Sequence, residues 1–332
     1  PRPTQETRGG GRAGQRLSDE DALALLAARD LVAVGEAARA RRDAASDPAV
    51  VTFSIDRNVN YTNFCITDCD FCAFYRRPMD PEGYVLPKSV IFRKTEETLD
   101  LGGTALLLQG GHHPNLRIEW YEDLFTDIKS RYPIHLHALS PSEILHISKV
   151  SRISLDETLT RLRAAGHDSL PGGGAEILVD RVRQVIAPRK TTSDEWLSVM
   201  RAAHRAGMST TATMMYGTVD TWEDRIEHLR RLRQPDVHLA RAEQVLGVVV
   251  AALALDRVPQ IVPPSRRGLE RGVRFERDEQ MPAFDRDALP AGRACQTHRG
   301  VGLVVELVVV AQGREARLVD EMVVLAVNLA GT

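Results

Sequence analysis

The sequence is poor in cysteine and has no excess of charge of either sign. Its 332 residues include four cysteines, 43 lysines and arginines, and 45 aspartates and glutamates, for a net charge of −2. This balance argues against nucleic-acid binding by the chain as a whole. Four cysteines do not make a disulfide framework, and three of them lie within eight positions. We therefore expect a metal or cluster site in a reducing compartment, the cytoplasm.

Long hydrophobic runs are also missing. Residues 1–16 are rich in glycine and arginine and contain no apolar run that resembles a signal peptide. Two apolar stretches near the end of the sequence, 245–255 and 301–311, have eleven residues each, which is too short to span a bilayer. We expect a disordered tail over 1–16 and no membrane partner.

Aromatic residues are few and unevenly distributed. Fifteen of the 17 lie between Phe53 and Trp222, and only Phe275 and Phe284 lie outside this stretch. Large aromatic side chains dominate the energetics of packed cores. We therefore expect the core and the chemistry in the middle of the chain.

Short apolar runs alternate with amphipathic segments from residue 51 onward. Before them, 17–50 predicts N-terminal helices, with Ser18 as an N-cap and Asp21 at the reciprocal capping position. The predicted strands are 51–55, 104–108, 134–139, 168–170 and 210–215. The predicted helices are 31–42, 88–101, 120–132, one or two over 142–165, 192–206 capped by Ser193, and one from 222 to about 233.

This alternation is typical of βα units, which form a parallel sheet with functional loops at the carboxyl ends of the strands. The sequence therefore predicts an α/β fold with a (β/α) TIM-type barrel core over 51–233. Five predicted strands account for most of such a barrel, and spacing alone does not establish that it closes. The region 234–332 has no clear period and its fold is not predicted.

The most informative motif is the triplet Cys65, Cys69 and Cys72. It follows the first predicted strand, so the thiols lie on a loop of the kind that carries the chemistry of barrel enzymes. A C-x₃-C-x₂-C run supplies three ligands to a [4Fe–4S] cluster and leaves one iron open for an outside ligand. The alternative is a zinc site of three cysteines and one histidine, although zinc ligands are usually two close pairs separated by a longer loop.

Three cysteines at this spacing after a strand resemble the radical S-adenosylmethionine (SAM) superfamily. Within it, the words Ala-Phe-Tyr-Arg-Arg (73–77) and Gln-Gly-Gly-His-His-Pro (109–114) resemble the cyclic dehypoxanthine futalosine synthases of menaquinone biosynthesis. The resemblance runs over about residues 17–233 and includes the segments 56–63, 135–143, 169–177 and 211–217. Aminofutalosine synthase and the tyrosine-using subunit of the deazaflavin (FO) synthase are related alternatives.

The resemblance implies two cofactors, a [4Fe–4S] cluster and SAM. Together they yield methionine and a 5′-deoxyadenosyl radical, which removes a hydrogen from C4′ of the substrate ribose. The carbon radical then adds to the aromatic ring of the substrate, and loss of one electron and one proton gives the spiro-cyclic product. The implied partners are a small-molecule substrate and an electron donor such as flavodoxin or ferredoxin.

The resemblance also implies contacts to SAM. Phe71 matches the aromatic position near the adenine, the loop that starts at Gly102 matches the methionine end, and the Ser-Pro-x-Glu word matches the ribose. The expected cofactor-binding residues are Phe71, Tyr75, Gly102, Gly103, Thr104, Ser140 and Glu143. The residues by themselves allow simpler interpretations, since Gly102 and Gly103 stop a helix and Glu143 lies in the first turn of one.

Further polar residues follow or lie on the predicted strands. Histidines at such positions bind carboxylates or carry protons near neutral pH, although many histidines are structural. His135 and His137 alternate on the third strand and point to one face. The expected substrate-binding residues are Gln109, His112, His113, His137 and Gly173. His112 and Glu176 are the candidate catalytic residues, as acceptors of the final proton.

The tail departs from the family from about residue 234. The expected sixth strand with an aromatic Pro-Trp word has no counterpart in the run that begins Gln234-Pro-Asp. Either this lineage replaced its last third, or the reading frame is displaced. A tail dominated by Val, Leu, Ala and Arg is typical of a displaced frame in GC-rich coding sequence. Cys295 is then an ordinary thiol. An inactive barrel that keeps the cluster is a further alternative to an enzyme.

Overall fold

The structure is a computed structural model that describes residues 17–45, 49 and 52–233, and the backbone of two short strands at 303–305 and 326–329. Its helices are α1 (Asp19–Leu26), α2 (Leu31–Ala45), α3 (Lys88–Asp100), α4 (Ile118–Arg131), α5 (Pro141–Ser151), α6 (Leu155–Ala164), α7 (Asp180–Ile186), α8 (Ser193–Arg205) and α9 (Trp222–Leu232). Its strands are β1 (Thr52–Ser54), β2 (Asp56–Asn60), β3 (Ala105–Gln109), β4 (His135–Ala138), β5 (Ser169–Leu170), β6 (Ser209–Thr210), β7 (Leu303–Val305) and β8 (Ala326–Leu329).

Five of the strands form a parallel sheet in chain order, β2-β3-β4-β5-β6. This order is typical of a singly wound (β/α) barrel, because a doubly wound sheet reverses its strand order at a switch point. The remaining three form an antiparallel sheet of order β1-β8-β7. The prediction of an α/β fold is confirmed.

The main core lies between the parallel sheet and its helices. Strand β3 carries the consecutive buried residues Leu106, Leu107 and Leu108, a run typical of a parallel strand covered on both faces. Trp196 of α8 is fully buried in the same core. A second cluster packs α1 against α9 through Leu25, Leu26, Ile226 and Leu229, among others.

Local capping signals begin many of the helices. Reciprocal capping boxes start α1 at Ser18, α5 at Ser140, α8 at Thr192 and α9 at Thr221. Each satisfies backbone N–H groups that lack a partner within the first turn. The predicted box of Ser18 and Asp21 is confirmed, whereas the predicted cap Ser193 is wrong by one residue. Ser193 is instead the first helical residue, and its hydroxyl donates to Asp180 (2.7 Å).

The prediction for the first barrel strand is wrong. The segment 51–55 was expected in the sheet, but the sheet strand is Asp56–Asn60, and Thr52–Ser54 pairs with β8. Arg57 and Val59 face the helices, since Arg57 pairs with Glu97 of α3 and Val59 belongs to the core. Asp56 and Asn58 therefore face the barrel interior. Because these interior positions are polar, the strand contains no apolar run from which it could be predicted.

Two further segments differ from the prediction. The strand expected over 210–215 pairs only at Ser209–Thr210. Beyond it, the Thr213 hydroxyl donates to the Gly172 carbonyl (2.7 Å) and the Met215 N–H donates to the Glu176 carbonyl (3.0 Å). Helix α7 was not predicted. The segment 142–165 forms two helices, separated at Arg152, whose φ of 60° ends α5.

The predictions for 1–16 and for most of 234–332, including Cys295, lie outside the described residues. Among the helices of the described part of the chain, none has the length and apolar character needed to cross a membrane.

Candidate active site

The cysteine loop leaves the carboxyl end of β2 and returns to it. The Leu86 N–H donates to the Tyr61 carbonyl (2.8 Å), which closes the loop at its base. Within it, the Cys65 N–H donates to the Arg76 carbonyl (2.9 Å), and the Arg76 N–H donates to the Asn63 carbonyl (2.7 Å). Main-chain hydrogen bonds therefore hold the first cysteine in place.

The three thiols lie together on this loop and are shielded to different degrees. Cys65 and Cys69 are buried, and Cys72 is half-buried. The Thr67 hydroxyl lies 3.0 Å from the Cys65 Sγ and 3.5 Å from the Cys69 Sγ. The His112 N–H donates to the Cys65 Sγ (3.3 Å). Burial raises the pKa of the Cys69 thiol to about 11, so metal binding there must displace a tightly held proton.

A glycine pair after β3 packs against the cysteine loop. A Cβ at Gly110 would lie 2.6 Å from the Tyr61 ring, and one at Gly111 would lie 2.8 Å from the Cys65 Cβ. Side chains do not fit at either position. The absence of side chains therefore lets the β3 loop approach the first cysteine closely enough for the His112 N–H bond.

His112 continues this loop and is buried. Its ring stacks on His146 of α5, with centroids 4.9 Å apart, and the His146 Nε2 bonds to the His113 carbonyl (2.8 Å). Burial, followed by the charge of His146, lowers the pKa of His112 well below its usual value. His112 is therefore neutral at physiological pH. His113 is half-buried and contacts the Phe64 ring by its edge.

Glu143 links three elements at the same edge of the sheet. Its Oε1 accepts from the Tyr61 hydroxyl (2.8 Å) and the Gly110 N–H (2.9 Å), and its Oε2 accepts from the Ser140 N–H (2.7 Å) and hydroxyl (2.6 Å). The carboxyl group is buried, and burial raises its pKa despite these bonds. Glu143 therefore completes the capping box of α5 with Ser140, and it also anchors the Gly110 loop.

A group of buried charged residues lies beside the part of the cysteine loop that carries Phe71. Both oxygens of Glu176 are paired, Oε1 with the Lys190 Nζ (2.9 Å) and Oε2 with the Arg183 guanidinium (3.4 Å). The Lys190 ammonium lies 5.9 Å from the Phe71 ring centroid. Burial by itself lowers the pKa of Lys190, but the negative charge of Glu176 raises it, and the net result is a pKa above its usual value. Cys69 interacts electrostatically with both Lys190 and Glu176.

The barrel interior below this edge is polar. The Ser169 hydroxyl lies 2.7 Å from the His137 Nδ1 and 2.7 Å from the His135 Nε2, so the two histidines share one face as expected. Burial lowers the pKa of His137 to about 3. Gly173 adjoins Gln109, because a Cβ there would lie 2.5 Å from the amide nitrogen of Gln109. The structure thus brings Gln109, His137 and Gly173 to one side of the barrel.

Two aromatic residues of the cysteine loop have different surroundings. Phe71 is partly exposed and faces Lys190. Tyr75 is buried, and its hydroxyl donates to Asp68, which also pairs with Arg77. Phe71 therefore keeps a partly exposed ring on the cysteine loop, and Tyr75 braces the loop.

The structure does not bring Gly102, Gly103 and Thr104 to this site. They precede β3, and the Thr104 N–H donates to the Ile55 carbonyl just before β2. Parallel strands share their direction, so this loop lies at the amino edge of the sheet, about 16 Å from the cysteine loop along β3. The prediction that these three residues contact SAM is therefore wrong. The glycine pair at the carboxyl edge is Gly110 and Gly111.

Several residues of the site carry no local sequence signal. They are Tyr61, Thr67, His146, Arg183 and Lys190. Lys190 lies in an ordinary polar segment after α7, and His146 lies on the face of a helix that packs on another loop. Only their contacts in the fold identify them. Tyr61, for example, has its partner Glu143 82 residues away, and Lys190 has its partner Glu176 14 residues away.

The profile of the Radical SAM superfamily matches residues 59–232, which is more than half of the chain. The chain belongs to this superfamily. Its members bind a [4Fe–4S] cluster and SAM, and they are enzymes. The matched segment begins in β2, covers the cysteine loop and ends with α9.

Enzymes with two different names are among the curated relatives of this chain. The chain is 47% identical over 221 residues to the cyclic dehypoxanthine futalosine synthase of Halalkalibacterium halodurans, covering 66% of this chain and 60% of that protein. It is 44% identical over 225 residues to the enzyme of the same name from Streptomyces coelicolor, covering 67% and 56%. It is also 45% identical over 216 residues to a 5-amino-6-(D-ribitylamino)uracil–L-tyrosine 4-hydroxyphenyl transferase of Methanococcoides burtonii, covering 65% and 59%.

The matches therefore span well under two thirds of each of these relatives. Among solved structures, methylornithine synthase aligns with a TM-score of 0.54 at 20% identity over 68% of this chain and 64% of that one. HydG, a maturase of the [FeFe]-hydrogenase, aligns with a TM-score of 0.55 at 18% identity over 69% and 51%. At these identities the likeness concerns the fold alone.

The cysteine loop fits a [4Fe–4S] cluster by its donor set. Three thiols lie on one loop, and the Thr67 hydroxyl and His112 N–H supply the hydrogen bonds to sulfur that tune such clusters. Across 17–45, 49 and 52–233, no group of three or more His, Cys, Asp or Glu side chains meets the geometry for a single metal ion. A cubane takes one thiolate per iron, so its ligands need not converge on one point.

Proposed function

We propose that this protein is a radical SAM cyclase that converts dehypoxanthine futalosine into cyclic dehypoxanthine futalosine in menaquinone biosynthesis. The identity to the Halalkalibacterium halodurans synthase carries this proposal. The word Gln-Gly-Gly-His-His-Pro (109–114) supports it, because it resembles the synthases and its loop contacts Cys65 directly.

Cys65, Cys69 and Cys72 are the proposed ligands of the cluster. When bound, the cluster and SAM supply a 5′-deoxyadenosyl radical, which is the reagent that removes a ribose hydrogen. The chain itself orients the ribose and excludes water from the interior. Phe71 presents its partly exposed ring as an adenine contact, and Ser140 lies at the same edge as a ribose contact.

We assign Glu143 a positioning role. Both of its oxygens already accept hydrogen bonds from within the protein. A contact to the SAM ribose would require one of these bonds to break. Glu143 therefore acts through Gly110, whose loop it holds against the cysteines.

His112 is the proposed acceptor of the final proton. It is buried beside Cys65, and its ring stacks on that of His146. Glu176, the other candidate, has both oxygens engaged by cations. We therefore assign the proton to His112 and give Glu176 the role of holding Lys190.

The proposed substrate contacts are Gln109, His112, His113, His137 and Gly173. They extend from the rim, where His113 is half-buried, to His137 in the interior. The electron donor is proposed to be a small low-potential redox protein such as flavodoxin or ferredoxin, and a cytoplasmic location remains a prediction.

The reaction is tested by incubating the reconstituted protein anaerobically with SAM and a reductant. One reaction contains dehypoxanthine futalosine, and a second contains 5-amino-6-(D-ribitylamino)uracil and L-tyrosine. We expect 5′-deoxyadenosine release and a product lighter by two hydrogens in the first reaction alone. Release in the second alone would overturn the proposal, and the Cys65→Ser variant controls for uncatalysed cleavage.

The second reaction has an observation in its favour. The transferase of Methanococcoides burtonii is as similar to this chain as the synthases are. Transfer of a 4-hydroxyphenyl group from L-tyrosine is therefore the alternative function, and the same experiment separates the two by the mass of the product.

A further inference from the structure

Lys190 lies beside the cysteine loop but has no role in the proposed reaction. Its ammonium is buried, donates to Glu176 (2.9 Å) and lies 5.9 Å from the Phe71 ring centroid. Phe71 stands between Cys69 and Cys72 in the sequence. The Asp70 N–H, next to Cys69, also donates to the Ile186 carbonyl (2.9 Å), so Lys190 lies against the stretch of the cysteine loop that carries Cys69.

Lys190 and Glu176 act on Cys69 with opposite signs, and Lys190 contributes the larger effect. Arg183 pairs with the other oxygen of Glu176 (3.4 Å), and its guanidinium also donates to the carbonyls of Ala175 and Thr191. The field at Cys69 is therefore that of a cation partly offset by a carboxylate.

A net positive field favours the reduced form of an iron–sulfur cluster. Reduction adds one electron to the cluster and makes it more negative, so a neighbouring cation stabilises the product of reduction. Low surrounding polarity strengthens this effect, because a buried charge is poorly screened. Charge, hydrogen bonds to sulfur and burial are the features by which proteins set cluster potentials.

We propose that Lys190 is a redox-tuning residue, whose buried ammonium beside Cys69 raises the reduction potential of the cluster while Glu176 holds it and opposes part of its charge. The electron comes from a low-potential one-electron donor, and no bond to Lys190 forms or breaks. The proposal requires the cluster but does not depend on which substrate the enzyme uses.

The test is an anaerobic redox titration of the reconstituted cluster, followed by electron paramagnetic resonance, without SAM or substrate. Lys190→Met removes the cation at similar volume, and we expect the reduction equilibrium constant to fall about tenfold, which is 59 mV for a one-electron couple. Glu176→Gln removes the opposing charge and should shift the potential in the positive direction. Lys190→Arg keeps the cation and should remain near the wild type.

The double variant with Lys190→Met and Glu176→Gln separates charge from packing. It removes both charges, so its potential should lie between those of the two single variants, whereas accumulated damage would move it beyond them. Lys129→Met is the matched control. The Lys129 Nζ also donates to a carboxylate at 2.9 Å, that of Asp168, but at the amino edge of the sheet.

The proposal is overturned if Lys190→Met and Glu176→Gln shift the potential in the same direction. It is also overturned if Lys190→Met moves it no further than Lys129→Met does. Iron and sulfide content, measured on each variant, identifies any that fail to hold a cluster. If Lys190→Met is such a variant, the sign of the Glu176→Gln shift decides, since a positive shift supports the proposal and any other result contradicts it.

Discussion

Each edge of the parallel sheet carries a glycine pair and a lysine–carboxylate pair. At the carboxyl edge, Gly110 and Gly111 approach the cysteine loop, and Lys190 pairs with Glu176. At the amino edge, Gly102 and Gly103 connect α3 to β3, and Lys129 pairs with Asp168. The residue types are the same, but only the first set surrounds the thiols. Residue type alone therefore does not identify the site. What identifies it is the end of the strand to which a loop is attached.

The largest effect is expected at the cysteines. Cys65→Ser removes a ligand whose sulfur is held by Thr67 and His112, so we expect loss of the cluster and of 5′-deoxyadenosine release. Iron and sulfide analysis after anaerobic reconstitution measures this. Cys295→Ser is the control and should retain both. A Cys295→Ser variant that loses the cluster would contradict the assignment of three ligands.

The glycine pairs compare the two edges directly. In Gly111→Ala the new Cβ would lie 2.8 Å from the Cys65 Cβ, and in Gly103→Ala it would lie 2.7 Å from the Thr98 carbonyl oxygen. We expect each to destabilise the fold by about 1–3 kcal/mol. Only Gly111→Ala should also weaken iron binding, by about tenfold.

Thermal unfolding and iron content of the folded protein are the two measurements. If Gly103→Ala lowered SAM affinity while its iron content stayed normal, the loop before β3 would belong to the site after all. The assignment of Gly102, Gly103 and Thr104 to the amino edge would then be wrong.

The buried carboxylate Glu143 should matter more than its exposed counterpart Asp168. Glu143→Gln replaces one of the two carboxylate oxygens with a donor, which then faces the N–H group of either Gly110 or Ser140, at a cost of about 1–3 kcal/mol. Asp168→Asn keeps an oxygen that can accept from the Leu136 N–H and weakens a half-exposed pair with Lys129, at a cost of about 0–1 kcal/mol. Denaturant unfolding of both variants checks the difference, and equal losses would count against it.

The smallest effect concerns a histidine that supports the sheet. The His167 Nε2 bonds to the carbonyls of Ala138 and Ser169, and the Nδ1 is buried without a hydrogen-bond partner. Burial lowers the pKa of His167 to about 4, whereas an unfolded histidine has a pKa of about 6.5. Between these values the unfolded chain binds the extra proton, so stability falls as the pH is lowered from 6.5 to 4.

His167→Gln should flatten this dependence by at most about 1.4 kcal/mol per pH unit. Denaturant unfolding of wild type and variant at several pH values between 4 and 7 measures it. Release of 5′-deoxyadenosine at pH 7 should be unchanged, because His167 lies outside the site. Equal slopes in the two proteins would contradict a neutral His167.

Much of the fold follows from local signals in the sequence. The capping box of Ser18 and Asp21, the apolar strand of Leu106–Leu108 and the start of α3 at Lys88 were all predictable, because each depends on neighbours within a few residues. The polar strand Asp56–Asn60 was not, since its interior-facing side chains break the apolar pattern. Register and strand limits depend on partners that lie far away in sequence.

The sequence by itself determined the cysteine triplet, its place after a strand and the superfamily, because spacing along one loop is a local property. Only the tertiary structure decided which glycine pair approaches the thiols, that both oxygens of Glu176 are engaged, and that Lys190 lies beside Cys69. The contacts of Gly111 and Lys190 with the cysteine loop join residues from separate βα units. Packing of the units against one sheet brings them together, and no local pattern encodes that packing.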